Sequence, residues 1–444
     1  MDFISKIRAA LLAATWVLLM VAIPGSSAQR PQPATQHGLD MNLHSPESVG
    51  FSAERLKRLH GVMQQTIDKK QIAGMATLLA RHGKIVDYQV YGQRDSASGA
   101  PMTKDTIFRD YSMTKPVTGA AMMILYEQGK WLPNDPISKF IPEFAHLKVF
   151  NGLDADGKMI LVDPEHPPTM HELLSHTAGF TYGFFGDSPV DVMYRDQKVV
   201  QSANLQEMID KLAKIPLVYQ PGRKWVYSVS MDIEGYIVEK LSGKPLPEFF
   251  NTEIFTPLGM KDAGFYVPAE KRSRFAALYD ANKQDGLDLD AGSATGYSAQ
   301  PTMASGGGGM VSTIEDYYRF AQMMADGGEL NGKRILAPAS VKLMTTNHLS
   351  QSLLAGDFGI GSQQMRPGFG YGYNCAVEYD PQEANLPDGK GTFLWDGAAG
   401  TWFWIDPTND IVFIGMIQRM RGGNPNVQYL SRSLVYQALV DPSK

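Results

Sequence analysis

The spacing of hydrophobic residues predicts a helix, a hairpin and a second helix in the first third of the chain. Residues 52–70 place apolar side chains along one helical stripe. Two apolar, β-leaning segments, 75–80 and 85–91, flank a short polar stretch at His82 and predict a hairpin with a tight turn. The second helix, over residues 112–129, is apolar on nearly all sides, which predicts that it is buried.

The rest of the chain predicts a helical region followed by more strands. Prolines and short helical patterns dominate from residue 131 to 301, whereas 393–405 and 411–418 are strand-like and 427–440 is helical. The two ends of the chain must meet to complete one sheet. We therefore predict an α+β fold, in which an antiparallel sheet is flanked by the terminal helices and carries an inserted, mainly helical lobe.

The first residues have the form of a secretory signal. Lys6 and Arg8 form a basic end, an apolar run covers 9–23, and small residues before Gln29 provide a cleavage site. The run is too short for a comfortable membrane span, so no stable membrane anchor is expected and the mature chain should be periplasmic or secreted. The predicted division is a signal peptide 1–28, an extended arm 29–46, a sheet domain 47–130 and 302–440, and a helical lobe 131–301.

Charge and cysteine content exclude several classes of protein. Lys and Arg number 41 against 46 Asp and Glu, giving a net charge of −5 without a long run of either sign. This balance argues against a nucleic-acid partner or an anionic membrane surface. The single Cys375 excludes an internal disulfide and is interpreted as a buried, inert thiol within a strand. The oligomeric state stays open.

The candidate chemistry begins with Ser112 and Lys115, three residues apart at the start of the buried helix. Residues with this spacing share a helix face, so the hydroxyl and the amine can meet. A polar pair near a helix end is the simpler reading of so short a motif. However, this is the only Ser-x-x-Lys in the chain, and a buried lysine is rare without a partner. The pair therefore suits an oxygen nucleophile with a neighbouring base.

Other motifs favour structural roles. His166, His171 and His176 lack a spacing that puts them on one helix face, so a zinc site is not favoured. The acidic stretch 154–157 lacks most ligands of a calcium loop, and 306–309 lacks the Lys-Ser/Thr that follows a phosphate-binding loop; both are interpreted as turns. No Gly-x-Ser-x-Gly occurs. No metal or cofactor is expected.

Five ordered sequence blocks carry a family resemblance that spans most of the chain. They are SMTKP at 112–116, LLSHTAG at 173–179, YSVSMD at 227–232, GGGGMVST at 306–313 and WDGAAGTWFWIDP at 395–407. Together they resemble the serine β-lactamase superfamily, in its class C-like branch, and are most similar to the family VIII carboxylesterases.

The resemblance implies a role for each member of the site. Ser112 would be the nucleophile of an acyl-enzyme, and Lys115 would be its partner, with an amine kept partly neutral by burial. Tyr227 would take and return the proton, which requires a nearby positive charge because a tyrosine has an ordinary pKa of about 10. The backbone N–H groups of Ser112 and Ala398 would form the oxyanion hole.

Two departures from the penicillin-recognising members bear on the substrate. Trp395, Asp396 and Gly397 stand where those enzymes have Lys-Thr-Gly, and Trp395 cannot hold a substrate carboxylate. Val229 stands where they have the asparagine that binds the substrate amide. Both changes make the predicted substrate-binding residues less polar and favour a small neutral ester.

The sequence alone leaves two alternatives open. A β-lactamase or a D-Ala-D-Ala-type peptidase would use the same three residues, especially if Arg366 or Arg421 supplied the missing cation. A catalytically silent binding protein on the same fold is the other alternative, although an intact Ser112, Lys115 and Tyr227 argue against it.

Overall fold

The computed structural model describes residues 39–282, 286–290, 296–356, 358–360, 363–365, 367–420 and 425–444. The predicted signal peptide, most of the predicted arm, and Arg366 and Arg421 lie outside the described residues. In the described ranges, no helix is long and apolar enough to cross a membrane. The division into a sheet domain and a helical lobe stays a prediction.

The strands of the described chain are β1 (Asp40–Leu43), β2 (Gly74–Arg81), β3 (Lys84–Asp95), β4 (Ala100–Pro101), β5 (Ile107–Arg109), β6 (Val149–Leu153), β7 (Met159–Val162), β8 (Tyr279–Ala281), β9 (Leu287–Leu289), β10 (Val311–Thr313), β11 (Glu329–Leu330), β12 (Lys333–Arg334), β13 (Gly359–Ile360), β14 (Gln363–Gln364), β15 (Phe369–Tyr371), β16 (Ala376–Glu378), β17 (Thr392–Asp396), β18 (Trp402–Asp406) and β19 (Ile411–Met416). The helices are α1 (Ala53–Asp68), α2 (Thr114–Glu127), α3 (Met170–Leu174), α4 (Pro189–Asp196), α5 (Leu205–Leu212), α6 (Ser230–Ser242), α7 (Leu246–Phe250), α8 (Thr256–Leu258), α9 (Ile314–Ala325), α10 (Pro338–Met344), α11 (Gln351–Leu354), α12 (Pro381–Ala384) and α13 (Val427–Tyr436).

One nine-stranded sheet joins the two ends of the chain, as predicted. Its order is β1-β3-β2-β19-β18-β17-β16-β15, with β4 added to β3. The junction is the antiparallel pairing of β19 with β2. The predicted hairpin is β2–β3, and its turn places His82 and Gly83 at φ values of 53° and 68°, which glycine adopts without strain. The pairing of β1 with β3 is parallel, an addition to the predicted antiparallel sheet.

The terminal helices α1 and α13 cover one face of this sheet. The Ser52 side chain caps α1 by accepting the Arg55 N–H, and Leu56, Leu59 and Met63 are buried on the inner stripe. These side chains share one hydrophobic cluster with Val435 of α13. Burying an aliphatic side chain of this size stabilises the fold by about 1.5–3 kcal/mol.

The second helix, α2, is buried as its composition predicts. Every residue from Thr114 to Leu125 is buried. This burial includes Lys115, whose exposed fraction is 0 %. The helix packs against α6. The segments that precede the two helices also meet, because Tyr227 contacts Ser112.

Two predicted strand assignments are wrong in detail. Residues 393–405 are not one strand, because 397–401 form a tight turn between β17 and β18. In that turn the Gly397 N–H donates to the Thr401 carbonyl at 2.7 Å. Cys375 is buried as expected, but it precedes β16 rather than lying within a strand.

Candidate active site

The Ser112 segment is a single helical turn that connects β5 to α2. The turn comprises Tyr111–Met113, and Tyr111 has a φ of 45°. A positive φ is uncommon for a residue with a side chain and marks a backbone held by its surroundings. The turn leaves Ser112 half-buried, whereas Lys115 one turn later is fully buried.

Lys115 and Ser112 are in direct contact, as their spacing predicted. The Lys115 Nζ atom lies 3.1 Å from the Ser112 Oγ atom. The same Nζ donates to the carbonyl oxygen of Gly307 at 2.6 Å. The second contact comes from the glycine-rich turn at 306–309 and aims the amine at the serine.

Burial lowers the pKa of Lys115 to about 7, and the nearby carboxylate of Asp232 opposes this shift. Asp232 is itself buried, and its Oδ1 accepts hydrogen bonds from the Ser305 hydroxyl at 2.5 Å and the Gly307 N–H at 3.2 Å. Burial raises the pKa of Asp232, and these two donors oppose that rise because they favour the charged form of the carboxylate. At neutral pH the Lys115 amine is therefore divided between its charged and neutral forms, and the neutral amine can accept a proton.

Tyr227 approaches the nucleophile from the segment before α6. Its hydroxyl donates to the Ser112 Oγ at 2.7 Å, and the Lys115 Nζ lies 4.6 Å from the centre of its ring. Burial raises the pKa of Tyr227, and the Ser112 hydrogen bond opposes that rise. In the free protein Tyr227 is therefore a proton donor, and Lys115 is the group able to act as the base. The structure thus brings together all three residues that the sequence singled out.

His176 contacts both residues that flank Tyr227 in the chain. Its carbonyl oxygen accepts the Val226 N–H at 2.9 Å, and its Nδ1 is 2.9 Å from the Ser228 Oγ. The imidazole ring lies 5.0 Å from the Tyr227 ring. Burial, assisted by the charge of Lys115, keeps the pKa of His176 well below its usual value. The residue is a neutral support for Tyr227, in keeping with the structural role predicted for it.

The end of β17 lies against the Ser112 segment. A side chain at Gly397 would collide with the Asp110 carbonyl oxygen, since a Cβ atom there would lie only 2.2 Å from it. The Thr401 hydroxyl donates to the same carbonyl at 3.1 Å. Only glycine permits this approach, which places the exposed Ala398 beside the turn that carries Ser112.

Trp395 and Asp396, at the end of β17, occupy different surroundings. Trp395 is 4 % exposed, and its ring packs 5.7 Å from that of Tyr227 and 5.3 Å from that of Tyr371. It forms an apolar wall behind Tyr227 and supplies no charge. Asp396 is exposed at the rim.

Val229 was predicted to bind substrate, and the structure contradicts this. Its side chain is completely buried at the N-cap position of α6. It shapes the site from beneath and offers no surface to a substrate.

Sequence reasoning missed Asp232, the foremost of the carboxylates that act on Lys115. Asp232 lies within the YSVSMD block, but nothing in its spacing showed that it meets the glycine-rich turn. The signal would have been an acidic residue between the apolar Met231 and Ile233 in the first turn of the helix that follows Tyr227, where a buried charge needs a partner.

The three candidate metal-binding histidines have separate partners. His171 Nδ1 lies 3.0 Å from the Tyr373 hydroxyl, while His166 Nε2 lies 3.3 Å from a Glu172 oxygen. Across the described ranges, no group of three or more His, Cys, Asp or Glu side chains could hold a metal ion. The 154–157 stretch is a turn in which the Asp154 carboxylate accepts backbone N–H groups.

Known proteins resemble this chain over most of its length. The beta-lactamase family model matches residues 59–435. Esterase EstB of Burkholderia gladioli is 31 % identical over 391 residues, which is 84 % of this chain and 91 % of that protein. A putative D-alanyl-D-alanine carboxypeptidase of Escherichia coli (strain K12) is 26 % identical over 83 % of each chain.

A solved structure extends the likeness to the fold. EstCE1, described as a hydrolase with promiscuous acyltransferase activity, superposes with a TM-score of 0.72 at 29 % identity, covering 86 % of this chain and 99 % of its own. The matched region contains Ser112, Lys115 and Tyr227, which meet in one site. The chain is a serine hydrolase that belongs to the beta-lactamase family.

Proposed function

We propose that this protein hydrolyses small neutral carboxylic esters through an acyl-enzyme on Ser112. The observation that carries the proposal is the convergence of Lys115 and Tyr227 on one oxygen, at 3.1 and 2.7 Å. The similarity to Esterase EstB and to the hydrolase EstCE1 supports the reaction type.

Acylation would begin with the neutral Lys115 amine. It accepts the Ser112 proton as the Oγ atom attacks the carbonyl carbon of the ester. The backbone N–H groups of Ser112 and Ala398 would receive the negative oxygen that forms. Tyr227 donates its proton to the departing alkoxide, and the Lys115 ammonium then gives a proton to the Tyr227 phenolate, which restores both groups. The alcohol leaves, and the acyl group remains on Ser112.

Deacylation would reverse these proton transfers with water in place of the alcohol. Water enters at the position of the departed alcohol, next to Tyr227, and attacks the acyl carbon. Its proton passes to the Tyr227–Lys115 pair, and Ser112 recovers its own proton as the acid leaves.

The surroundings of Tyr227 favour a neutral ester over an anionic substrate. A β-lactam or D-peptide carries a carboxylate that loses water on entering a cleft, at a cost of several kcal/mol when no cation compensates. Trp395 packs behind Tyr227 and supplies no cation at the position where the penicillin-recognising enzymes have a lysine. The same three catalytic residues make the peptidase the second candidate, and its name among the relatives supports keeping it.

The deciding experiment compares p-nitrophenyl acetate with nitrocefin on one enzyme preparation, with the Ser112→Ala variant as control. We expect rapid Ser112-dependent hydrolysis of the ester and little of the lactam. An equal or higher kcat/KM for nitrocefin would replace the esterase with a β-lactamase.

The signal at residues 1–28 supports the further proposal that the enzyme is exported to the periplasm or medium.

A further inference from the structure

A cavity of about 170 Å³ lies beside Tyr227, and the proposed chemistry leaves it unused. Its wall includes Phe185, Val218, Tyr219, Trp225 and Tyr227. It therefore combines the proton donor of the site with several aromatic side chains, and the polar residues Thr181, Asp191 and Lys224 complete the wall.

The aromatic residues of this wall lead from solvent to Tyr227. The Phe185 side chain is 43 % exposed, yet its ring centre lies 5.8 Å from that of Tyr227. Tyr219 is 37 % exposed, whereas Trp225 is buried and stacks 6.1 Å from Tyr227 at an interplanar angle of 16°. Large apolar side chains exposed together around a concave site indicate a binding surface.

The charges around the cavity favour a neutral occupant. One acid and one base, Asp191 and Lys224, contribute to its wall. The Asp191 carboxylate accepts hydrogen bonds from the Thr181 and Ser188 hydroxyls, each at 2.7 Å. The Lys224 Nζ lies over the Tyr219 ring, 4.3 Å from its centre. The two charges are opposite and each has a partner within the protein, so the wall offers no net charge that would attract an ion.

The size of the cavity limits the occupant to about one ring. Protein cavities of about 150 Å³ with apolar walls are large enough to bind benzene. A six-membered aromatic or alicyclic ring would therefore fill this space and stack on the aromatic wall.

We propose that this cavity receives the alcohol half of the ester substrate, as a single neutral six-membered ring. The inference rests on the proposed function, in which Tyr227 gives its proton to the departing oxygen. The alcohol then lies beside Tyr227, while the acyl carbon stays on Ser112. Tyr227 lines the cavity and Ser112 does not, so the cavity suits the alcohol half rather than the acyl half. The enzyme would select its substrates by their alcohol rather than by their acyl group.

Benzyl acetate and methyl phenylacetate test this assignment because they are isomers that differ only in which half of the ester carries the ring. Their kcat/KM values are divided by their rates of hydrolysis with hydroxide to remove intrinsic reactivity. We expect the wild-type enzyme to prefer benzyl acetate by about tenfold, and Phe185→Ala to abolish most of that preference. Tyr219→Ala should act in the same direction. Both side chains are partly exposed, so the variants should fold.

Tyr266→Ala is the matched control, because Tyr266 is also 37 % exposed but lies outside this cavity; it should keep the wild-type ratio. A wild-type ratio near one, or a ratio unchanged by both cavity variants, would overturn the inference while leaving the esterase intact. Faster hydrolysis of 4-(acetoxymethyl)benzoate than of benzyl acetate would overturn the neutral-ring assignment. Failure of the proposed function would instead appear as hydrolysis that survives Ser112→Ala.

Discussion

Replacing Asp232 with asparagine should move the acid limb of ester hydrolysis to lower pH. Burial lowers the pKa of Lys115 to about 7, and the Asp232 carboxylate is the foremost charge that opposes this shift. Without the Asp232 charge, the pKa of Lys115 should fall further. Asparagine keeps a side-chain oxygen for the Gly307 N–H, which Asp232 accepts at 3.2 Å, so the local contacts can persist.

The size of the effect follows from the fraction of neutral Lys115. If the neutral amine is the base, a pKa of about 7 leaves about one half of it active at pH 7 and about a tenth at pH 6. Loss of a neighbouring opposite charge lowers a lysine pKa by about one unit. At pH 6 the variant should then have about one half of its amine active. When the rate of each enzyme is expressed as a fraction of its own high-pH plateau, the variant at pH 6 should exceed the wild-type enzyme by about fivefold.

The assay is the pH dependence of kcat/KM for p-nitrophenyl butyrate, read at the isosbestic wavelength of the product. This constant reports the ionisation of the free enzyme. Titration with a fluorophosphonate fixes the concentration of active enzyme in each preparation. Asp326→Asn is a control on the distant end of α9 and should leave the acid limb in place. An acid limb that stayed fixed or moved to higher pH in Asp232→Asn would refute the reasoning.

The remaining predictions concern the nucleophile, the substrate and the support of Tyr227. Ser112→Ala should abolish turnover and labelling by a fluorophosphonate, and Tyr227→Phe should lower kcat about a hundredfold, as steady-state kinetics would show. p-Nitrophenyl acetate should exceed nitrocefin in kcat/KM by about a hundredfold, since Trp395 offers no cation to a carboxylate. His176→Ala should lower kcat by about tenfold or more without moving the acid limb, because Tyr227 loses its support while Lys115 keeps its surroundings. Ser228→Ala should produce a smaller loss of kcat, because it removes the hydrogen bond to the imidazole but leaves that ring packed in place.

Local patterns in the sequence predicted the main helices and strands and the contact between Ser112 and Lys115, because both depend on short-range physical rules. Helix spacing alone placed Lys115 against Ser112, and the apolar composition of α2 predicted its burial. The link from Tyr227 to Ser112 spans 115 residues and came only from the family resemblance.

Features that depend on how distant segments pack could not be predicted in this way. The break between β17 and β18 looks like continuous strand, because Gly397 is explained only by its contact with Asp110 far along the chain. The prediction for Val229 was wrong for a related reason. Its place in a motif suggested contact with the substrate, whereas the start of α6 turns its side chain into the core. Motif position gives the backbone location of a residue, but not the direction of its side chain.

The central position of β19 in the sheet has a consequence for biosynthesis. This strand begins at residue 411 of 444, yet it lies between β2 and β18. A ribosome therefore releases the β2–β3 hairpin long before the strand that covers the open edge of β2 exists. Until then that edge carries unpaired backbone groups able to pair with other chains. Premature termination before residue 411 should thus yield insoluble chains rather than weakly active ones, and holdase chaperones that bind nascent hairpins should determine the yield of active enzyme.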